Sequence, residues 1–331
     1  MSRKILLAAV LIYAAYVPAC SGASLGAGLA GLEVVASIDE IVQSGEVFAE
    51  KYVVWFEQPI DWQSPDIGTF LQRVEIGFTG LDAVNVVNVD GYDLRESDFI
   101  RDDRHELAKM YDGNYINIEY RYFGMSAPQG LSRTSTALWE YLTDENAAND
   151  FHNIMEQLRS ILSGTWIFTG TSKGGQMTNI FSYYYPDDAD AYVSYAAPFC
   201  VGTDDERLID AVYTSIGAER YGEAQAKIYR DMLLEFQVEA VRNREYLQPR
   251  LCRELPPEKA ELYPFRTVSR DFEELILDHA VGIWQYGQDF AAHEAVLNMP
   301  REDDPDTEQN EREEYLQAML QVISREMAPD D

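Results

Sequence analysis

The spacing of apolar positions changes character along the chain, and each change predicts a different element. "YVVWFEQPIDW" (52–62) and "TFLQRVEIGF" (69–78) are rich in β-branched and aromatic residues, with Ser, Pro, Asp and Gly between them. This pattern predicts an antiparallel hairpin. "AVNVVNVDGY" (83–92) is a largely apolar run closed by glycine, as in a strand buried on both faces of a parallel sheet. "RHELAKMYDG" (104–113) predicts a short helix, and "YINIEYRYFGMSAP" (115–128) a further buried strand broken by Gly124 and Pro128. Over 135–162 the apolar positions recur at the helical period, with Thr143 or Asp144 as a cap inside the stretch. "TWIFTG" (165–170) reads as a strand, "KGGQMTNIFSYYYP" (173–186) as a helix stopped before Pro186, and "DAYVSYAAPF" (190–199) as another strand.

Strands alternating with helices predict an α/β fold with a mostly parallel sheet and crossover helices. From Asp204 the pattern is helical, with no central strand signal, and predicts a helical cap on the carboxyl edge of the sheet. The expected organisation is a signal peptide at 1–19, a Gly-, Ala- and Ser-rich tether at 20–45, an α/β core at 46–203, and a cap with an acidic tail at 204–331. No internal repeat is visible.

Composition narrows the picture. Hydrophobic residues make up 46% of the 331, enough for a packed core. The 57 acids against 26 bases give a formal charge of −31, a field that repels phosphate backbones, so nucleic acid is not an expected partner. Arg3 and Lys4 precede an apolar run, Ile5 to Val17, and then Val17-Pro18-Ala19-Cys20. This is the layout of an export signal, too short to span a membrane. Two readings of its end stand: Cys20 as a lipidated residue on a periplasmic or cell-surface lipoprotein, or ordinary cleavage around Cys20 and secretion. Export would leave Cys200 and Cys252 in an oxidising compartment. A disulfide between them is expected, with roughly 4 kcal/mol of chain-entropy stabilisation, the alternative being two separate thiols. No Cys–His grouping has metal-ligand spacing, so neither metal nor cofactor is expected.

The candidate chemistry lies in "IFTGTSKGGQMTN" (167–179). Gly170-Thr171-Ser172-Lys173-Gly174 follows an apolar strand and opens a helix, the context of a nucleophile elbow. Gly170 and Gly174 are the positions where a Cβ would crowd a tight turn. Ser172 is then pushed out above the sheet, with helix N–H groups aimed at a developing oxyanion. The N–H of Lys173 is one candidate donor. The N–H of Tyr92, after Gly91 in "VDGYDL", is the other. The Lys173 side chain reads as a solvated lysine at the mouth of the site, with a Ser–Lys base as the alternative. Glu119 is either an ammonium binder facing the site or a member of a strand-end ion pair with Arg121.

"YVVWFEQPIDWQSPDIGTFLQRV", "NIEYRYFGMSAP", "WEYLTDENAANDFHNI", "WIFTGTSKGGQMTNIFSYYYPDDADAYVSYAAPFCVG" and "WQYG" resemble the secreted bacterial tripeptidyl-aminopeptidase family of serine peptidases. That family is related to the prolyl carboxypeptidase and dipeptidyl peptidase II family. The resemblance is dense over 50–200 and thinner to about 290. It implies an α/β-hydrolase fold with a helical cap, a Ser-Asp-His triad with Ser172 as nucleophile, and release of short peptides from free N-termini. Some members prefer proline.

In the family the triad acid and histidine follow two further strands beyond the cap. This chain ends instead in "REDDPDTEQNEREEYLQAMLQVISREMAPDD", and its histidines are His105, His152, His279 and His293. None follows a late strand signal, so the triad acid and base have no counterpart here. The expectation is a C-terminally truncated peptidase lacking the last strands, weak or inactive as it stands. The alternatives are an inactive lipid-anchored binding scaffold, or an esterase recruiting His279 or His293 from the cap.

Overall fold

The computed structural model describes residues 24–41, 47–94, 105–130, 138–200, 206–252, 267–286, 290–300 and 309–327. The predicted signal and Cys20 lie outside the described residues. The chain divides into two compact units, one of residues 1–129 with 141–198, the other of 130–140 with 199–331.

The first unit is built on a seven-stranded sheet of β1 (Val35–Glu40), β2 (Glu50–Pro59), β3 (Thr69–Phe78), β4 (Asn85–Val89), β5 (Asn114–Ile118), β6 (Trp166–Thr171) and β7 (Ala191–Tyr195), in the spatial order β1-β2-β3-β5-β4-β6-β7. The four strands β5-β4-β6-β7 pair in parallel. β1, β2 and β3 extend the sheet antiparallel, with Glu50 opposite Phe78 and Pro59 opposite Thr69 in the predicted hairpin. Every residue of β4 is buried, as its apolar run requires. The unit also holds α1 (Leu25–Leu29), α2 (Glu106–Tyr111), α3 (Asp144–Arg159) and α4 (Lys173–Tyr184).

The strand order places a topological switch point between β4 and β6. β4 lies between β5 and β6, so the chain leaves β4 toward one side while β6 leads to β7 on the other. Loops diverging from neighbouring parallel strands open a cleft at their carboxyl ends. The residues after β4 and those after β6 are therefore brought together.

Packing follows the amphipathic patterns. α3 buries Ala147, Ala148, Phe151, Ile154, Met155 and Leu158, one helical face, and Thr143 caps it by accepting from the Asn146 N–H at 3.1 Å. α4 buries Gly174, Gly175, Met177, Thr178 and Phe181. Phe151, Phe168 and Phe181 close the core with ring centres 4.3 to 6.0 Å apart.

Three expectations need correction. Residues 24–41 are not a tether: Leu25 and Leu29 are buried in the sheet's core, and 35–40 pair with β2 as an edge strand. Their apolar side chains gain more from this burial than a free linker would offer. The strand predicted over 115–128 stops at Ile118, because Tyr122 and Gly124 take left-handed backbone conformations in a turn. Cys200 and Cys252 are unbridged thiols: Cys252 is packed in the helical unit's core while Cys200 is exposed.

The second unit is helical in its described residues. It contains α5 (Glu206–Asp210), a π-turn at Ala211–Ser215, α6 (Ala218–Tyr221), α7 (Glu223–Arg242), α8 (Arg244–Leu251), α9 (Val268–Tyr286), α10 (Phe290–Leu297) and α11 (Gln309–Met327). Its core joins Phe236, Leu247, Phe272, Ile276, Tyr315 and Met319. No helix among the described residues is long and apolar enough to cross a membrane.

A buried ion pair ties the first unit together. Arg121 donates from Nε to Asp150 Oδ2 at 2.7 Å and from Nη2 to Oδ1 at 3.0 Å. Its remaining N–H groups reach the carbonyls of Pro59, Ile60 and Tyr141. Trp62 donates to Asp150 at 2.8 Å. Burial pushes the Asp150 carboxyl up, while the guanidinium and the indole N–H oppose that rise. Neither ion is exposed, so removing one partner strands the other charge. Asp150→Ala is expected to cost about 3–5 kcal/mol, and the double variant Arg121→Met/Asp150→Leu to recover most of it. Urea denaturation of the sheet unit's transition checks this. A midpoint for Asp150→Ala equal to wild type would contradict it.

Candidate active site

Ser172 lies between β6 and α4 with φ 56° and ψ −120°, a left-handed conformation unfavourable to a residue with a Cβ. The backbone on both sides holds it there. The Ser172 N–H donates to the Tyr195 carbonyl at 3.0 Å, and its own carbonyl accepts from the Gln176 N–H at 2.9 Å. The hydroxyl makes no capping hydrogen bond, and the residue is exposed. An exposed serine in a strained strand–turn–helix is the arrangement the sequence predicted for Ser172.

The glycines explain how the turn fits. A Cβ on Gly174 would lie 1.9 Å from the Val89 carbonyl oxygen of β4, and one on Gly170 would lie 2.4 Å from the Gly174 carbonyl carbon. A Cβ on Gly91, which has φ 85°, would lie 2.8 Å from Gly174 N and 3.1 Å from the Lys173 carbonyl carbon. The loop after β4 is therefore pressed directly on the start of α4. This brings Lys173 and Tyr92, the two candidate donors, into one neighbourhood. Lys173 opens α4, and first-turn N–H groups have no partner within their own helix.

The Lys173 side chain departs from expectation. It is half-buried against the rings of Tyr92, Tyr120 and Phe123 rather than solvated. Burial pushes its pKa down to about 8, partly offset by the Asp144 carboxylate. Tyr120 and Phe123 stand in "NIEYRYF" and Tyr92 in "VDGYDL", but nothing local links them to residue 173.

Glu119 and Arg121 do not pair with each other. Glu119 is fully buried and accepts from the Leu94 and Met125 N–H groups, both at 3.0 Å, and from Ser126 Oγ at 2.6 Å. It shapes the turn after β5 and fastens the loop after β4 to it. Its oxygens are spent on these donors, so it is no ammonium binder.

The histidines have other work. His105 caps α2 by accepting from the Leu107 N–H at 3.3 Å, and burial lowers its pKa. His152 Nδ1 meets Asp188 Oδ2 at 2.6 Å and stacks on Tyr185 at 4.1 Å. This Asp–His pair, unnoticed in the sequence, lies at the opposite end of α4 from Ser172, about 18 Å along a twelve-residue helix. His279 and His293 face each other in the helical unit, Nε2 to Nε2 at 2.9 Å, with both side chains buried beside Phe236.

Ser172 thus stands in a strand–turn–helix elbow after β6, with the loop after β4 against it. The model of the PS-10 peptidase S37 family matches residues 28–304, and the chain belongs to that family. It is 27% identical over 234 residues to the prolyl tri/tetrapeptidyl aminopeptidase of Streptomyces mobaraensis, covering 71% of this chain and 45% of that protein. It is 28% identical over 159 residues to the thymus-specific serine protease of Mus musculus, covering 45% of this chain and 31% of that one. The chain thus spans less than half the length of either relative. A rice cell wall degrading esterase of Xanthomonas oryzae gives a TM-score of 0.38 at 12% identity, over 87% of this chain and 78% of its own, too distant to bear on activity.

Gly174→Ala cannot be accommodated without separating α4 from β4, and is expected to cost more than the roughly 1–3 kcal/mol of ordinary overpacking. Thermal unfolding of the variant, compared with Gly80→Ala, whose Cβ would meet nothing nearer than 4.0 Å, checks this. Equal midpoints for Gly174→Ala and wild type would contradict the close approach.

Proposed function

We propose that the protein is a serine peptidase that releases short peptides, tripeptides foremost, from free N-termini through an acyl-enzyme. The observation that carries this reading is the strained, exposed Ser172 at a glycine-enforced elbow in a chain of the S37 peptidase family. The Streptomyces relative, named a prolyl tri/tetrapeptidyl aminopeptidase, supports the peptide length. In this reading Ser172 Oγ attacks the carbonyl carbon of the third residue. The N–H groups of Lys173 and Tyr92 receive the developing negative charge. The C-terminal part leaves as an amine, and water frees the tripeptide from the serine ester. No metal or cofactor enters. Export, with Cys20 as the lipid-bearing residue, is part of the same proposal and rests on the pattern of residues 1–20.

A second reading is favoured by one observation. His105 and His152, the histidines of the sheet-containing unit, are engaged in capping and in the Asp188 pair rather than with Ser172. A serine with no base is a weak nucleophile at neutral pH. On that reading the chain binds peptides without cleaving them. The third reading, an esterase using His279 or His293, is disfavoured because both imidazoles are buried against each other.

Incubation with an unblocked peptide and its N-acetylated copy, followed by mass spectrometry, separates the first two. Tripeptide release from the free peptide alone is expected, falling about a thousandfold or more in Ser172→Ala. Release undiminished in that variant would sink the proposal. Saturable binding without release would favour the second reading.

A further inference from the structure

A lysine beside an exposed serine is expected to extend into water, because an ammonium is strongly hydrated. Lys173 instead places Nζ 3.9 Å from the ring centre of Tyr120, 4.3 Å from that of Phe123 and 4.9 Å from that of Tyr92. The rings brace one another. Tyr92 meets Phe123 edge-on at 5.5 Å, and Phe123 meets Tyr120 at 5.9 Å. Tyr92 comes from the loop after β4, and Tyr120 and Phe123 from the turn after β5. The Tyr120 N–H donates to the Tyr92 carbonyl at 3.1 Å, and the Tyr120 hydroxyl to Met177 Sδ of α4 at 3.5 Å. A cation over several partly desolvated π faces is attracted to all of them. The elbow, the β4 loop and the β5 turn thus meet at one charge.

We propose that the Lys173 ammonium is a positioning residue: held against Tyr92, Tyr120 and Phe123, it clamps the Gly91–Tyr92 loop to the elbow and sets the spacing of the two oxyanion N–H donors. The catalytic meaning of this clamp rests on the serine hydrolase reading above; the clamp itself does not. The side chain acts through Tyr92, not on substrate. Its reach is spent on the rings, which also argues against a Ser–Lys base.

Among the described residues, the titratable groups facing the ammonium are Tyr92 from the β4 loop, Tyr120 from the β5 turn and Asp144 from α3. Burial pushes the Tyr120 hydroxyl up, so it stays neutral over the working range. Lys173, lowered to about 8, is charged below that pH and neutral above it. The ammonium is therefore the form that meets the rings at pH 7. An arginine keeps the charge.

Hydrogen–deuterium exchange of the full chain tests this, on wild type, Lys173→Met and Lys173→Arg at pH 7. Protection over 91–94 is expected to fall about tenfold in Lys173→Met at pH 7. It is expected to stay near wild type in Lys173→Arg. Thermal midpoints recorded alongside separate local loosening from global unfolding. Equal protection in wild type and Lys173→Met overturns the clamp. The rate of fluorophosphonate labelling at Ser172, measured on the same samples, is expected to follow the protection. Wild type that is protected yet never labelled sinks the hydrolase reading and supports the clamp. Equal labelling and equal protection in Lys173→Met sinks the clamp and leaves the hydrolase reading standing.

Discussion

The contact between α4 and β4 is the constraint on which the site depends. A helix entering directly from a strand can come this close to the neighbouring strand only where its first turn has no Cβ. Gly174 against the Val89 carbonyl meets that condition, and Gly170 and Gly91 extend it on either side. Once α4 is seated, Ser172 has no choice but the left-handed conformation that lifts its hydroxyl clear of the sheet. The strain at Ser172 is over-determined by the Tyr195 and Gln176 hydrogen bonds and by the burial of Met177 and Phe181.

Buried charge organises the surroundings of this contact. Glu119 and Arg121 stand two residues apart at the end of β5 and serve different ends. Glu119 gathers the N–H groups of the β4 loop and the β5 turn. Arg121 gathers the carbonyls after β2 and the Asp150 carboxylate of α3. One shapes the loop that carries Tyr92, and the other fixes the helix whose first turn carries Asp144 near Lys173. Deleting either leaves unpaired polar groups in the interior, where they are costly. The same short stretch of sequence therefore links the fold of the sheet unit to the electrostatics of the elbow.

Much of this was legible in the sequence, for local reasons. The buried strands were marked by apolar runs, and the elbow by a glycine pattern between a strand and a helix. What escaped was nonlocal or weakly patterned. β1 hides in "VASIDE", where small and polar residues blur the alternation. The predicted strand over 115–128 overruns Ile118 because the Glu119 carboxylate, not the side-chain pattern, turns the chain. Asp150 and Arg121, separated by 29 residues, show no spacing that pairs them. The Lys173 cage depends on rings from two other loops. Cys200 and Cys252 looked bridgeable because their count and setting suggested it, but burial separates their environments. The family resemblance supplied the activity class and left the base and acid open.

The central claim is that the elbow makes Ser172 a nucleophile. Peptide mapping after treatment of the native protein with a fluorophosphonate tests it most directly. The account predicts one covalent adduct, on the peptide containing Ser172, and none after heat denaturation. An unmodified Ser172 in folded protein, or equal modification of other serines, would contradict it.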